Sequence, residues 1–259
     1  MRISVVIAQL PVTWDIAANL AGIDAVLAES RPDDVVLLPE GALSGYDADL
    51  SPLDTLDRPA LARAVDTLGD RARHRGVDVF CGSLLPGDGG WYNAALHFTP
   101  TGERQVYRKI NLAVNERDRL LAGDELPVFR SGSFTAGVQL CREIRFPEQW
   151  QHLARCGAQA FVYLTNAANP GEPAGVWRSH LISRAAENQR FVFAANLADP
   201  AQHCPSMAVS PRGEVLAELP PGTPGVLRVQ ADLDEISDWY LDQQRRDIVS
   251  VEYHPTPGQ

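Results

Sequence analysis

The chain has 259 residues, of which 45% are hydrophobic and 22% are charged, and its net charge at pH 7 is −10. This composition is ordinary for a globular protein with a large apolar core, and the length fits a single domain over residues 1–259. The negative charge argues against nucleic acid as a partner, because polyanions usually bind to a basic face. No apolar run approaches the roughly eighteen residues of a membrane span, which argues against a membrane partner.

Cysteine usage indicates the compartment and argues against a structural metal. Four cysteines in a chain of this length do not have the pattern of a disulfide framework, so we interpret them as reduced thiols of a cytoplasmic protein: Cys81, Cys141, Cys156 and Cys204. The first residues enter a predicted strand directly and lack the pattern of a signal peptide. A zinc site is not expected, since the chain has no C-x-x-C pair and its six histidines are scattered.

Strands and helices alternate along the first half of the chain. Residues 3–8 and 35–38 are apolar runs typical of buried strands, and residues 17–29 have the apolar spacing of a helix. This succession is a βαβ unit, which implies parallel pairing. A second helix is expected to begin after Asp57 or Arg58 as N-cap and to stop at Gly76. This helix is predicted at residues 59–75, and strands follow at 77–84, 92–98 and 103–107, the last two forming a hairpin.

The second half begins with a loop-like stretch of little periodicity at residues 111–127. Loops of that length inside a compact domain are usually functional or mobile. Strands are then predicted at residues 136–140, 160–164, 191–195, 207–210, 215–218 and 226–229, and helices at 146–157, 177–190 and 232–246. Residues 247–259 contain two prolines and are predicted to be a tail. The alternation indicates the α/β class, with hairpins adding antiparallel strands.

Cys141 comes directly after the apolar strand predicted at residues 136–140, and Pro147 can open a helix six residues later. Open α/β sheets bind their ligands at this end of a strand. The polar turn between them, residues 142–145, exposes main-chain N–H groups that could face a developing negative charge. The plainer interpretation is a small hydrophobic residue that ends a core strand, because free cysteines are often buried.

Two further polar residues stand at predicted strand ends, Glu40 after residues 35–38 and Lys109 after residues 103–107. A thiol is mostly protonated at neutral pH and needs a base, and a carboxylate with a pKa raised by burial is one. A nearby lysine favours the thiolate and can stabilise an oxyanion. Glu40 or Lys109 alone is more typical of solvated surface charge. A thiol, a carboxylate and an ammonium together suit nucleophilic catalysis.

Three motifs resemble those of the nitrilase superfamily of carbon–nitrogen hydrolases, and their order and spacing agree with it. They are LLPEGALSGY at residues 37–46, YRKINL at 107–112 and CREIRFPE at 141–148. The stretch 177–196 is also typical of the family, so the resemblance covers nearly the whole chain. It implies a four-layer α-β-β-α sandwich, usually paired through a helical face into a homodimer or larger homo-oligomer, and it implies no metal or cofactor.

The resemblance also implies roles for the motif residues. Cys141 would attack the carbonyl of a small-molecule amide and form a thioester, Glu40 would transfer protons, and Lys109 with the main-chain N–H of Arg142 would hold the oxyanion. Glu116 resembles the second glutamate of the family, although Glu125 is another acidic candidate in the same loop. We expect an amidase that releases acid and ammonia. The alternatives are a nitrilase or an N-carbamoyl hydrolase with the same residues, or a non-catalytic binding or scaffold member.

Two positions depart from the family's pattern. Arg142 stands where many relatives have an aromatic residue, and Asn111 stands where many have a histidine. Arg142 either meets a carboxylate of the substrate or pairs with Glu143 or Glu148. Candidates for lining the substrate pocket, with ordinary packing as the alternative, are Tyr46, Asn166 and Trp177.

Overall fold

The computed structural model describes residues 1–132, 134–167, 171–173, 175–245 and 247. The strands are β1 (Arg2–Gln9), β2 (Asp34–Leu38), β3 (Asp78–Gly87), β4 (Gly90–Phe98), β5 (Arg104–Arg108), β6 (Leu120–Leu121), β7 (Val128–Ser131), β8 (Phe134–Leu140), β9 (Ala160–Thr165), β10 (Phe191–Asn196), β11 (Met207–Val209), β12 (Val215–Glu218) and β13 (Gly225–Asp232). The α-helices are α1 (Ile16–Glu29), α2 (Arg58–Arg75), α3 (Pro147–Arg155), α4 (Val176–Asn188) and α5 (Trp239–Gln243). Short 3-10 turns lie at Ser51–Asp54, Cys141–Arg145 and Leu233–Glu235.

The strands form two mixed sheets. The first has the order β13-β1-β2-β3-β4-β5, with β6 beside β4, and the second has the order β12-β11-β10-β9-β8-β7. Strands β1, β2 and β3 run parallel, as do β8, β9 and β10, and antiparallel strands flank both groups. Strands β2, β9 and β10 are buried along their whole length, as expected for strands covered on both faces.

Three apolar clusters among the described residues hold the layers together. One lies between the sheets and joins Ile7 and Phe80 of the first sheet to Val162 and Phe193 of the second. Another packs α1 and α2 on the outer face of the first sheet, and a third packs α3 and α4 on the outer face of the second. The predicted α/β class and the four-layer α-β-β-α sandwich are therefore confirmed.

The boundaries of α1 and α2 follow from local chemistry. Asp15 and Asp57 are N-caps whose side chains accept hydrogen bonds from the first main-chain N–H groups of these helices. Helix α2 stops at Gly76, whose φ of 66° is left-handed and suits a glycine. The predicted cap and stop of this helix are confirmed.

Some of the predicted elements were wrong. Over the described residues 232–245, the helix predicted at 232–246 is replaced by a 3-10 turn, a non-helical link and the short α5, because Arg190 bonds to the carbonyl of Ser237 and pairs with Asp238. The predicted loop at 111–127 contains β6, and β7 follows it unpredicted. Apart from Asp247, the tail predicted at 247–259 lies outside the described residues.

Cysteine accessibility differs within the fold. The four cysteines all lie in described ranges and are free thiols, and of these four only Cys156 is exposed. Across the parts of the chain that the structure describes, no helix combines the length and apolarity needed to cross a membrane.

Candidate active site

The ends of four strands bring the candidate residues together. Glu40 follows β2 and Lys109 follows β5 in the first sheet, while Cys141 follows β8 and Asn166 follows β9 in the second. These strands share a direction within their sheets, so their carboxyl ends meet at one edge of the sandwich. Residues far apart in sequence therefore converge on one site.

Two glycines allow the main chain at Glu40 to take its position. A Cβ atom on Gly82 of β3 would lie 2.4 Å from Cα of Glu40, so only glycine permits this approach. Gly41 has a φ of 70°, and a Cβ atom there would lie 2.3 Å from Cβ of Tyr46. The left-handed turn at Gly41 thus folds Tyr46 back toward the site.

Lys109 lies between two buried carboxylates. Its Nζ is 3.1 Å from Oε1 of Glu40 and 3.0 Å from Oε1 of Glu116, and all three side chains have 0% exposure. Of the two acidic candidates in the loop, Glu116 is the one beside the lysine, whereas Glu125 is exposed. Burial by itself would lower the pKa of Lys109, but the two carboxylates raise it above its usual value, so the ammonium persists.

The two carboxylates differ in their surroundings. Oε1 of Glu116 also accepts hydrogen bonds from the Tyr46 hydroxyl and the Asn93 amide, each at 2.7 Å, and Oε2 accepts from a main-chain N–H. Burial would raise the pKa of Glu116, but Lys109 and these donors hold it below its usual value. At Glu40 burial outweighs the lysine, and the pKa is raised. Glu40 is therefore the carboxylate suited to proton transfer, while Glu116 stays ionised.

Cys141 starts a 3-10 turn in an unusual backbone conformation. Its φ is 38°, in the left-handed region that non-glycine residues rarely adopt. The Tyr163 hydroxyl donates to the carbonyl of Cys141 at 2.7 Å and holds the turn from β9. Because the first N–H groups of a helical turn have no partner within it, the N–H of Arg142 is uncommitted within the turn.

The thiol of Cys141 is protonated in this environment. Burial and, to a lesser degree, the neighbouring Glu40 raise its pKa to about 12, although Lys109 opposes both effects. Lys109 was predicted to favour the thiolate, and its effect has that sign but is outweighed. A thiol of this kind needs a base to become a nucleophile.

Asn166 connects the thiol and the carboxylate through its main chain. Its N–H donates to Oε2 of Glu40 at 2.8 Å, and Sγ of Cys141 donates to its carbonyl at 3.6 Å. Its side chain donates to the carbonyl of Tyr46 at 3.0 Å and accepts from Gln202 at 2.8 Å. One peptide segment of the second sheet thus contacts both reactive side chains.

The third pocket candidate, Trp177, is 2% exposed and belongs to the same apolar cluster as Cys141. Its indole N–H has no hydrogen-bond partner among the described residues, and the guanidinium of Arg145 lies 5.4 Å from the ring centroid. In the described part of the structure, no hydrogen bond connects Trp177 to Glu40 or Lys109.

Arg142 is half-buried, and its guanidinium makes no hydrogen bond or ion pair with the described residues. Pairing with Glu143 was wrong, because that carboxylate is fully buried and accepts from the Tyr107 hydroxyl at 2.6 Å and the N–H of Ile110 at 2.9 Å. Glu148 is exposed and does not pair with Arg142 either.

Two residues have a role in the site that was not predicted from the sequence. Asn93 of β4 donates to both Glu40 and Glu116, and its only signal was a polar residue inside a predicted buried strand. Glu143 joins the lysine motif to the end of β8 by accepting from main-chain N–H groups of both, including Leu140 at 2.8 Å. Flanking charged residues in the sequence gave Glu143 the pattern of a surface turn.

Comparison with known proteins gives a consistent result. The model of the family described as carbon–nitrogen hydrolase matches residues 4–240. The 2-oxoglutaramate amidase of Bacillus subtilis is 33% identical over 220 residues, which cover 81% of this chain and 82% of that protein. The omega-amidase NIT2-A of Xenopus laevis is 30% identical over 246 residues, which cover 87% of this chain and 88% of that protein.

A solved structure has the same fold. It is a mutant of the amidase from Nesterenkonia sp. AN1 in which acrylamide has added to the active-site cysteine. It is 25% identical, covers 96% of this chain and 98% of that chain, and has a TM-score of 0.81. With the family match over most of the chain, these similarities show that the protein belongs to the carbon–nitrogen hydrolase family of the nitrilase superfamily and hydrolyses carbon–nitrogen bonds other than peptide bonds.

Proposed function

We propose that the protein is a thiol amidohydrolase that cleaves a small linear amide to a carboxylic acid and ammonia. The observation that carries the proposal is the contact of one residue, Asn166, with both Glu40 at 2.8 Å and the Cys141 thiol at 3.6 Å. This reaction requires a base, a nucleophile and a cation. They are supplied by the Glu40 carboxylate with its raised pKa, the uncharged Cys141 thiol and the permanent ammonium of Lys109.

In the first half of the proposed reaction, Glu40 takes the thiol proton and Sγ of Cys141 bonds to the carbonyl carbon of the amide. Nζ of Lys109 and the main-chain N–H of Arg142 stabilise the oxyanion that forms. The carbon–nitrogen bond then breaks, and Glu40 passes its proton to the departing nitrogen. Ammonia leaves, and a thioester remains on Cys141.

In the second half, Glu40 takes a proton from water, and the resulting hydroxide bonds to the thioester carbon. The same oxyanion contacts act again. The carbon–sulfur bond breaks, the acid departs, and Glu40 returns the proton to the sulfur of Cys141. Glu116 keeps Lys109 in place throughout, because its low pKa maintains a negative charge 3.0 Å from Nζ.

For the substrate we propose an ω-amide of a dicarboxylic acid. Arg142 is adjacent to the nucleophile, and its guanidinium has no acidic partner among the described residues. A guanidinium binds a carboxylate with two parallel hydrogen bonds, so a carboxylate of the substrate would be a suitable partner for Arg142. The names of two relatives, 2-oxoglutaramate amidase and omega-amidase, support this class. The pocket wall would include Tyr46, Asn166 and Trp177.

The test is release of ammonia by the purified protein from 2-oxoglutaramate, a neutral amide of equal length and the matching nitriles. We expect hydrolysis of the amides and none of the nitriles; the reverse preference would indicate a nitrilase. Cys141→Ala should lower turnover by at least about 10³-fold with an unchanged circular dichroism spectrum. Cys156→Ala, at the exposed thiol, is the control and should keep wild-type rates.

Mass spectrometry provides a second measurement on the same protein. Acrylamide should add to Cys141, as it does to the active-site cysteine of the Nesterenkonia mutant. Addition should be slower after Glu40→Gln, because the thiol then lacks its base. Wild-type turnover by the Cys141→Ala variant would contradict the proposed function.

A further inference from the structure

Asn93 lies at the centre of the buried carboxylate cluster. Its Nδ2 is 2.7 Å from Oε1 of Glu40 and 2.7 Å from Oε1 of Glu116, and the residue is 1% exposed. Nζ of Lys109 binds the same two oxygen atoms, and the main-chain N–H of Lys109 donates to the carbonyl of Asn93 at 2.8 Å. One neutral amide and one ammonium therefore bridge the same pair of carboxylates.

The chemistry of these contacts determines the orientation of the Asn93 amide. The reversed amide would place Oδ1 against two carboxylate oxygens with no proton between them. In the observed orientation Oδ1 is buried and no described residue donates a hydrogen bond to it, which is unfavourable. Position 93 therefore requires two amide protons, one for the Glu40 carboxylate and one for the Glu116 carboxylate.

A neutral donor suits a carboxylate that must act as a base. A second cation would lower the pKa of Glu40 strongly and weaken it as a proton acceptor. An apolar side chain would leave two buried carboxylates with a single ammonium. The Asn93 amide opposes the effect of burial on the pKa of both carboxylates without adding charge. The titratable groups that interact with Glu40 are Lys109, Glu116, Cys141, Tyr46 and Tyr163.

We propose that Asn93 is a positioning residue. Its amide holds the Glu40 carboxylate at a fixed distance from Glu116, and it stabilises the ionised form of Glu40 before Glu40 takes the proton of the Cys141 thiol. It acts through Glu40, and its side chain makes no hydrogen bond with the thiol of Cys141. This inference rests on the proposed thiol amidohydrolase function, in which Glu40 is the base.

The test is the pH dependence of kcat/KM for 2-oxoglutaramate in the Asn93→Leu variant, which loses both donors but keeps the number and branching of the side-chain heavy atoms. We expect the acid limb to move to higher pH by about one pH unit, because Glu40 without the amide binds a proton more readily. Asn188→Leu is the matched control. Asn188 is also buried and donates through Nδ2 to the carbonyl of Arg184 at 3.0 Å, and its Oδ1 has no partner within the described part of the chain, but it lies in α4.

The acid limb of Asn188→Leu should coincide with that of the wild type. If Asn93→Leu does not fold, Asn93→Ser keeps one donor on a smaller side chain and should move the limb in the same direction by a smaller amount. An unmoved acid limb in the folded Asn93 variant, or an equal movement in Asn188→Leu, overturns the proposal. Failure of the wild-type protein to hydrolyse any amide would instead overturn the proposed function, and with it the role of Glu40 as a base.

Discussion

Nζ of Lys109 lies 3.0 Å from Oε1 of Glu116, and neither side chain is accessible to solvent. Glu40 completes the group at 3.1 Å from the same ammonium. Removing one member of a buried charge cluster leaves the others without a partner, which is strongly unfavourable. Lys109 therefore stabilises the fold in addition to its proposed role at the oxyanion, and the two effects need separate measurements.

Lys109→Met keeps the length of the side chain and removes the charge. We expect kcat to fall by at least about 10²-fold, because the oxyanion loses its ammonium. We also expect the free energy of unfolding to fall by about 3 kcal/mol, because Glu40 and Glu116 remain buried without a cation. Steady-state kinetics and urea unfolding measure the two quantities.

The double variant Lys109→Met/Glu116→Gln separates these effects, because it removes one anion together with the cation. Part of the lost stability should return, while turnover should stay low. Glu125→Gln, at an exposed acid of the same loop, is the control and should alter neither quantity. Recovery of turnover in the double variant would show that Lys109 serves only as a counter-ion.

The pH dependence of the wild-type reaction should reflect Glu40. Burial raises its pKa above the usual value of 4.5, so the carboxylate takes up a proton at a higher pH than an ordinary glutamate. The proposed base works only when ionised, and kcat/KM should therefore be lost as pH falls through this raised pKa. Because the pKa of the Cys141 thiol is raised to about 12, the thiol keeps its proton at alkaline pH values below that pKa.

Measuring kcat/KM between about pH 4 and pH 10 tests this expectation. Glu40→Gln should have very low activity and no acid limb, since it lacks the titrating group. A wild-type profile that falls only below the ordinary carboxyl pKa of 4.5 would mean that Glu40 is not the proton acceptor.

Arg142→Leu tests the proposed contact with a substrate carboxylate. The variant keeps the main-chain N–H, so the oxyanion contact survives. We expect kcat/KM for 2-oxoglutaramate to fall by about 2 kcal/mol, or roughly 30-fold, and the neutral amide to be almost unaffected. Arg108→Leu, at an exposed arginine, loses the same charge and should affect neither substrate. Equal losses on both amides in Arg142→Leu would indicate a structural role.

Local patterns were sufficient to predict the α/β class and most of the elements. Apolar runs identified β1 and β2, and helical spacing identified α1, because the buried residues of each element follow the pattern of that type of secondary structure. The same patterns failed at residues 232–246, where Arg190 holds the link before α5 and overrides the apparent helix. That contact joins segments 47 residues apart, and no local pattern contains it.

The end of a strand is a local feature, so the amino-acid pattern was enough to predict that Glu40, Lys109 and Cys141 stand at the edges of sheets. How these groups titrate depends on contacts that no local pattern contains. Asn93 lies 53 residues from Glu40 and 23 from Glu116, yet it bonds to both. A pKa depends on burial and on distances to charges that are remote in sequence, so the raised pKa of Glu40, the lowered pKa of Glu116 and the protonated thiol follow from the packing of the two sheets.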